Sequence, residues 1–211
     1  MVTYPCGTIY ADVAQGSDQW HSLRGGSVGG SRISDVTGKQ GTGYANYQAE
    51  LVCERLTGGK TEGFKNAYME RGNVDEGSGR ECYEFVTGYE VQQIGLVTHP
   101  SIPRAHASPD GFINEDGCLE LKRKIPALHI KYLLTGKVES DYVKQMQWEM
   151  ACSGRLWCDF VSYCPELSTE YQLFIKRYDR DDAMIAEMES CVLEFNRSVA
   201  KLILDLKALR P

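Results

Sequence analysis

Asn114-Glu115-Asp116-Gly117 is the strongest turn signal in the chain, and the residues on either side of it read as two strands of one hairpin. After the turn, Cys118-Leu119-Glu120-Leu121-Lys122 alternates, so Glu120 and Lys122 fall on one face and Leu119 and Leu121 on the other. Before it, Ser108-Pro109-Asp110-Gly111-Phe112 brings a carboxylate to the mouth of the partner strand. A period of two is incompatible with a helix, so the fold has to seat this hairpin through its leucine face and leave a polar face for other use.

Around the hairpin, helices and strands alternate. The Gly- and Ser-rich stretch from Gln15 to Gly43 reads as a loop leading into a short helix that Ser31 or Ser34 could cap. Tyr47, Leu51 and Leu56 share a helical face within 44–57, before Gly58 and Gly59. A second helix is expected over 67–87 despite Gly72, Gly77 and Gly79, ending at Gly88. The run 91–97 reads as a strand followed by a loop with Pro100 and Pro103, 141–152 as a helix, and 157–164 and 171–178 as two strands. Apolar residues at Ile185, Met188, Val192, Phe195, Val199, Leu202, Leu206 and Leu209 mark one long amphipathic helix over about 182–209. It either packs along its own domain or serves as a subunit seam. The pattern indicates an α/β (α+β) domain over residues 1–211 with a central mixed sheet flanked by helices, and 42% hydrophobic content is enough for its core.

Composition narrows the function. The start of the chain lacks a basic segment followed by an apolar run, so a cytoplasmic location is expected. The eight cysteines are scattered without a CxxC pair and read as buried free thiols. Four histidines at 21, 99, 106 and 129 have no paired spacing for zinc, and neither Gly25–Gly30 nor Gly58-Gly59-Lys60 is a phosphate-binding P-loop. A net charge of −6 gives no global support for nucleic-acid binding. Lys122-Arg123-Lys124, followed by Lys131 and Lys137, is nevertheless a concentrated basic run; the choice between a phosphate-facing patch and a solvated face stays open.

The hairpin is where chemistry is expected. Asp110 and Glu120 on adjacent strands, with the carbonyl of Leu121, can hold a hard divalent cation on one side and leave other positions for water and phosphate. Lys122, on the face of Glu120, can then orient an attacking water and offset charge developing on phosphorus. Glu76 is a further candidate ligand from the 67–87 helix. Gln145 and Glu149 share one face of the 141–152 helix, where an amide could fix a water or a phosphate oxygen; a solvated helix face is the plainer alternative.

Trp20-His21-Ser22-Leu23-Arg24 with Ser31, Arg71-Gly72 with Glu76, Ser108-Pro109-Asp110-Gly111, Leu119-Glu120-Leu121-Lys122 and Tyr142 to Gln147 together resemble, in order and spacing, the lambda exonuclease or YqaJ-type viral recombinase family of the PD-(D/E)xK nuclease superfamily. The resemblance implies a restriction-endonuclease-like core. It implies Asp110, Glu120, Leu121 and Glu76 around a pair of magnesium ions that manganese can replace, and Lys122 and Gln145 at the catalytic centre. It implies Arg24 and Ser31 as receptors of a DNA 5′-phosphate. It further implies 5′-to-3′ degradation of linear double-stranded DNA to leave 3′ overhangs, a ring-shaped homotrimer, and a single-strand annealing protein as partner. Rival readings are an endonuclease or RecB-like repair nuclease on the same core, and a non-catalytic DNA-end-binding subunit.

Overall fold

The computed structural model describes residues 3–59 and 67–209, with side chains described throughout except at 67–75. Along the chain run β1 (Ile9–Tyr10), α1 (Asp18–Arg24), β2 (Val28–Gly29), a 3-10 turn (Gly30–Arg32), α2 (Ile33–Thr37), α3 (Thr42–Thr57), α4 (Ala67–Thr87), β3 (Val91–Gln92), β4 (Leu96–Thr98), β5 (Ala105–Ala107) and β6 (Gly111–Ile113). They are followed by β7 (Gly117–Arg123), α5 (Pro126–Thr135), α6 (Ser140–Ser153), β8 (Trp157–Tyr163), β9 (Leu173–Asp179) and α7 (Asp182–Ala208).

The larger sheet has the order β3-β6-β7-β8-β9, with β7 and β8 parallel and the other neighbours antiparallel. A parallel pair needs a long crossover, and α5 and α6 supply it. The smaller sheet, β1-β4-β5-β2, lies along the chain that leads into β6. The architecture is therefore mixed α/β with a mixed sheet between helices, as the pattern indicates.

The hairpin β6–β7 forms with Gly111 opposite Leu119 and Ile113 opposite Gly117. Asn114 enters its turn at φ 48°, a conformation Asn tolerates better than most residues. Arg155 clamps the turn by donating to the carbonyls of Ile113, Asn114 and Gly117. Both faces of β7 are covered. Leu119 and Leu121 pack with Tyr83, Ile113, Val161 and Tyr163. Cys118 on the opposite face joins the core that includes Phe160, Met146 and Trp148. The expected polar face is thus an interior one: Glu120 is fully buried.

Several expectations are corrected. The run 91–97 is two strands in different sheets, because the chain changes sheet at Gly95, where a side chain would run into the Val13 carbonyl. Trp20 to Arg24 is helical, capped by Ser17, whose hydroxyl accepts from Trp20 N; neither Ser31 nor Ser34 caps α2, which starts after Arg32 without a side-chain cap. The helix α5, absent from the sequence reading, begins with Pro126 in its first turn and ends at Gly136 in the left-handed conformation. Cys6 and Cys53 are exposed, against the expectation of burial, while five of the other cysteines are buried. Gly79 does not break α4; it brings the helix against β7, since a Cβ there would stand 3.1 Å from the Leu121 methyls and 3.0 Å from the Tyr163 ring.

Candidate active site

Asp110 is tied across the hairpin before its side chain does anything else. Its amide donates to the Leu119 carbonyl (3.0 Å), and its Oδ2 accepts from the Leu121 amide (2.6 Å). That places the carboxylate beside the backbone of the two residues after Leu119, where Glu120 projects to the α6 side. Glu120 Oε1 pairs with Lys122 Nζ and accepts from Gln145 Nε2 (2.8 Å), which also donates to Glu149 Oε1 (3.1 Å). Glu120 Oε2 is buried and has no hydrogen-bond partner among the described residues. Lys122 and Lys124 both lie over the Tyr142 ring, at 5.9 and 4.3 Å, and Lys124 Nζ donates to its hydroxyl (2.5 Å). Arg123 points the other way, to Glu166, and Lys131 lies 4.0 Å from Glu139.

Electrostatics describes a crowd of carboxylates. Burial, then Glu120, push the Asp110 carboxyl well above its usual range. Burial, then Glu120, do the same to Glu149. Glu76, half-buried on α4, is also raised by burial and feels Lys122, Arg80 and Glu120. Lys122 is raised; its burial opposes this, and attraction to Glu120 and Asp110 overrides it. Asp110, Glu120, Lys122, Gln145 and Glu76 are therefore in one electrostatic neighbourhood. The side chain of Arg71 lies outside the described residues.

Among the described residues, no group of three or more His, Cys, Asp and Glu side chains is already arranged as a metal cage. The donor set is instead two hairpin carboxylates with a backbone carbonyl. Its buried Glu120 oxygen, without a partner among the described residues, and its raised Asp110 are what a hard divalent cation would satisfy. The residues fit such an ion.

A solvated face is the plainer expectation for α6, but the helix is buried from Gln145 to Ser153. Glu149, which spacing marks only as a neighbour of Gln145, joins the carboxylate cluster through Gln145 and Glu120. Ser108 places a buried hydroxyl without a partner among the described residues two positions before Asp110.

Arg24 sits in a second, adjoining arrangement. Its guanidinium stacks over Trp20 (3.7 Å to the ring centroid), and its Nε donates to His106 Nε2 (3.1 Å). His106 Nδ1 meets Ser27 Oγ (3.1 Å). A cavity of about 60 Å³ opens here, lined by the cations Arg24 and Arg32, the carboxylates Glu50 and Glu54, and Tyr47 and His106 among others. Burial brings Arg24 down to about 10, so it stays cationic at neutral pH. Ser31 is exposed on the 3-10 turn and is not among the residues lining this cavity. Two links join the sites. The chain from His106 to Asp110 spans at most ~14 Å, and α6 reaches both, through Gln145 to Glu120 and through Trp148 Nε1 to the His106 carbonyl (3.1 Å).

A family model described as YqaJ-like viral recombinase domain matches residues 19–156. No curated protein matches the chain significantly. Among solved structures, an alkaline exonuclease from Laribacter hongkongensis, LHK-Exo, is 42% identical, with 91% of this chain and 97% of that one covered and a TM-score of 0.86. The same protein in complex with dAMP gives the same identity and coverage, with a TM-score of 0.87. A phage-related exonuclease from Haemophilus somnus 129PT shares the fold at 13% identity, covering 88% of this chain and 99% of that one, with a TM-score of 0.68.

Proposed function

The chain belongs to the YqaJ-like viral recombinase domain family, and from that premise we propose that it is a magnesium-dependent deoxyribonuclease that degrades linear double-stranded DNA from 5′ to 3′, leaving 3′ single-stranded overhangs for annealing-based recombination. The observation that carries this reading is the convergence of Asp110, Glu120, Lys122 and Gln145 at one end of the β6–β7 hairpin, with a buried Glu120 oxygen lacking a partner among the described residues. The exonucleases among its structural relatives support it.

Asp110, Glu120, the Leu121 carbonyl and Glu76 would hold the metal, as one or two magnesium ions that manganese can replace. When bound, the ion supplies Lewis acidity at the scissile phosphate and makes a neighbouring water more acidic. Lys122 Nζ holds and orients the attacking water and offsets charge on the phosphorane. Gln145 fixes the Glu120 carboxylate through its amide. Water attacks phosphorus, the bond to the 3′ oxygen breaks, and the released nucleotide keeps its 5′-phosphate. Arg24, joined by Ser31 from the neighbouring 3-10 turn, receives the 5′-terminal phosphate, a task suited to a planar donor fork; the Ser108 hydroxyl is a further donor between the two sites. We extend the reading to a single domain over 1–211 that works in the cytoplasm, assembles as a ring-shaped homotrimer and hands its product to a single-strand annealing protein. No helix among the described residues is long and apolar enough to cross a membrane.

The test is digestion of a linear duplex carrying a 5′-phosphate at one end, alongside a closed circular duplex, with Mg²⁺ and with EDTA. Shortening of the linear DNA alone, from its phosphorylated 5′ end and only with Mg²⁺, is expected. Cutting of the circle would make the protein an endonuclease, and absence of any cleavage would leave a DNA-end-binding subunit.

A further inference from the structure

We infer that His106 is a positioning residue for the 5′-phosphate receptor: it fixes the Arg24 guanidinium with a neutral acceptor, so that the fork is aimed without its charge being neutralised. This rests on the reading of Arg24 as that receptor. An arginine Nε can only donate, so the contact with His106 Nε2 at 3.1 Å makes that nitrogen the acceptor. The ring proton of a neutral imidazole is then on Nδ1, where it donates to Ser27 Oγ at 3.1 Å. One face of the guanidinium lies against the Trp20 ring. Nε is thereby spent, and the two terminal nitrogens of Arg24 make no ion pair among the described residues.

The contrast with Arg32 nearby shows what a carboxylate anchor does. Arg32 is held by Asp35 (2.6 Å) and Glu50 (2.9 Å), so its charge is balanced within the protein. Arg24 has a neutral ring in the anchoring position instead; Glu54 attracts it without an ion pair between the two, so most of its charge remains for an anionic ligand. The surroundings are built closely around this pair. A Cβ at Gly29 would stand 3.1 Å from His106 Nε2 and 3.6 Å from an Arg24 terminal nitrogen, so the backbone of β2 has to be bare there. Tyr47 OH accepts from Gly29 N (3.0 Å), and α6 holds the His106 carbonyl through Trp148. Glu54 on α3 accepts from Gly26 N (2.7 Å), fixing the loop between Arg24 and β2.

The decisive experiment uses near-isosteric replacements that differ in charge. In His106→Gln an amide oxygen can accept from Arg24 Nε and stay neutral; in His106→Glu a carboxylate can accept equally well but forms an ion pair. Binding of a linear duplex with a 5′-phosphate or a 5′-hydroxyl end is measured by fluorescence anisotropy in EDTA for the wild type, these two variants, His106→Ala and Arg24→Ala. Exonuclease KM and kcat are measured on the same ends. The phosphate preference is expected to survive within about threefold in His106→Gln. It should fall roughly tenfold or more in His106→Ala and approach unity in His106→Glu, with the loss in KM rather than kcat. Equal behaviour of Gln and Glu, or an unchanged preference in both while Arg24→Ala abolishes it, overturns the role of His106 and leaves that of Arg24 standing. A preference that survives Arg24→Ala, or is missing in the wild type, overturns both. If His106→Ala does not fold, the Gln and Glu pair alone decides.

Discussion

Glu120 shows how much one residue's surroundings decide. On an exposed strand its carboxylate would be an ordinary solvated group; here one oxygen is engaged by Lys122 and Gln145 and the other is buried without a partner among the described residues. Such an oxygen costs about 1–3 kcal/mol unless something binds it, which favours a cation at this point. Lys122 has the complementary position, since Asp110 and Glu120 hold it charged. Lys122→Ala is therefore expected to lower cleavage by about 10²–10⁴-fold while changing duplex affinity only a few-fold, because one ammonium is a small part of a DNA contact surface. Rates and anisotropy on the same duplex check this, and lost binding with residual cleavage would contradict it. Asp110, Glu120 and Lys122 could be named from spacing, and Gln145 from the family resemblance alone. Glu149, Ser108 and His106 could not, because their significance lies in burial and in partners distant along the chain.

At the scale of elements, α6 and α7 behave differently. The first is a brace: Gln145 reaches the hairpin, Trp148 reaches β5, and Gln147 holds the junction after β9 by donating to Asp179 O and accepting from Asp181 N. The second begins at Asp181, whose carboxylate caps it by accepting from Met184 N, and packs inward through Ile185, Met188, Val192, Phe195 and Val199. Beyond Val199 the same apolar pattern continues with less to cover it, as Leu202 at 38%, Leu206 at 43% and Leu209 at 79% exposure show, and Leu204, off that pattern, is 66% exposed. Phe195→Ala should cost about 3–5 kcal/mol, whereas Leu204→Ala should stay within about 0.5 kcal/mol for the isolated chain. Urea titrations at a concentration low enough to keep the chain monomeric separate the two. A large loss at Leu204 there would mean that this end of α7 has a partner within its own chain.

For the whole molecule, a net charge of −6 and a DNA substrate are compatible because acidic residues are drawn into the interior cluster while Lys122 and Lys124 stay beside Tyr142. Burial also leaves a pH signature. Burial, followed by Arg24, pulls His106 down to about 3 from an ordinary 6.5. The unfolded chain therefore takes up this proton first: stability is fully present above pH 6.5 and declines toward pH 3, by at most ~1.4 kcal/mol per pH unit for this residue. Burial lowers His99 and His129 as well. The raised carboxylates Asp110 and Glu149 act with the opposite sign, which is why a difference measurement is needed. Relative to His106→Gln, the wild type should lose roughly 2–3 kcal/mol between pH 6.5 and 4.5. Urea midpoints at the two pH values test this, and parallel curves would refute it.

Local order was legible in the sequence wherever a short-range rule fixes it. The turn at 114–117, the alternation that puts Glu120 and Lys122 on one side, and the three-and-four spacing along α7 all follow from backbone geometry within a few residues. The tertiary structure alone decided that the polar side of β7 faces inward. It also decided that 91–97 divides between two sheets, that α6 is buried, and that Arg24 leans on His106, 82 residues away. Periodicity records which residues share a face; what covers that face depends on contacts between distant segments, and those exist only once the chain has packed.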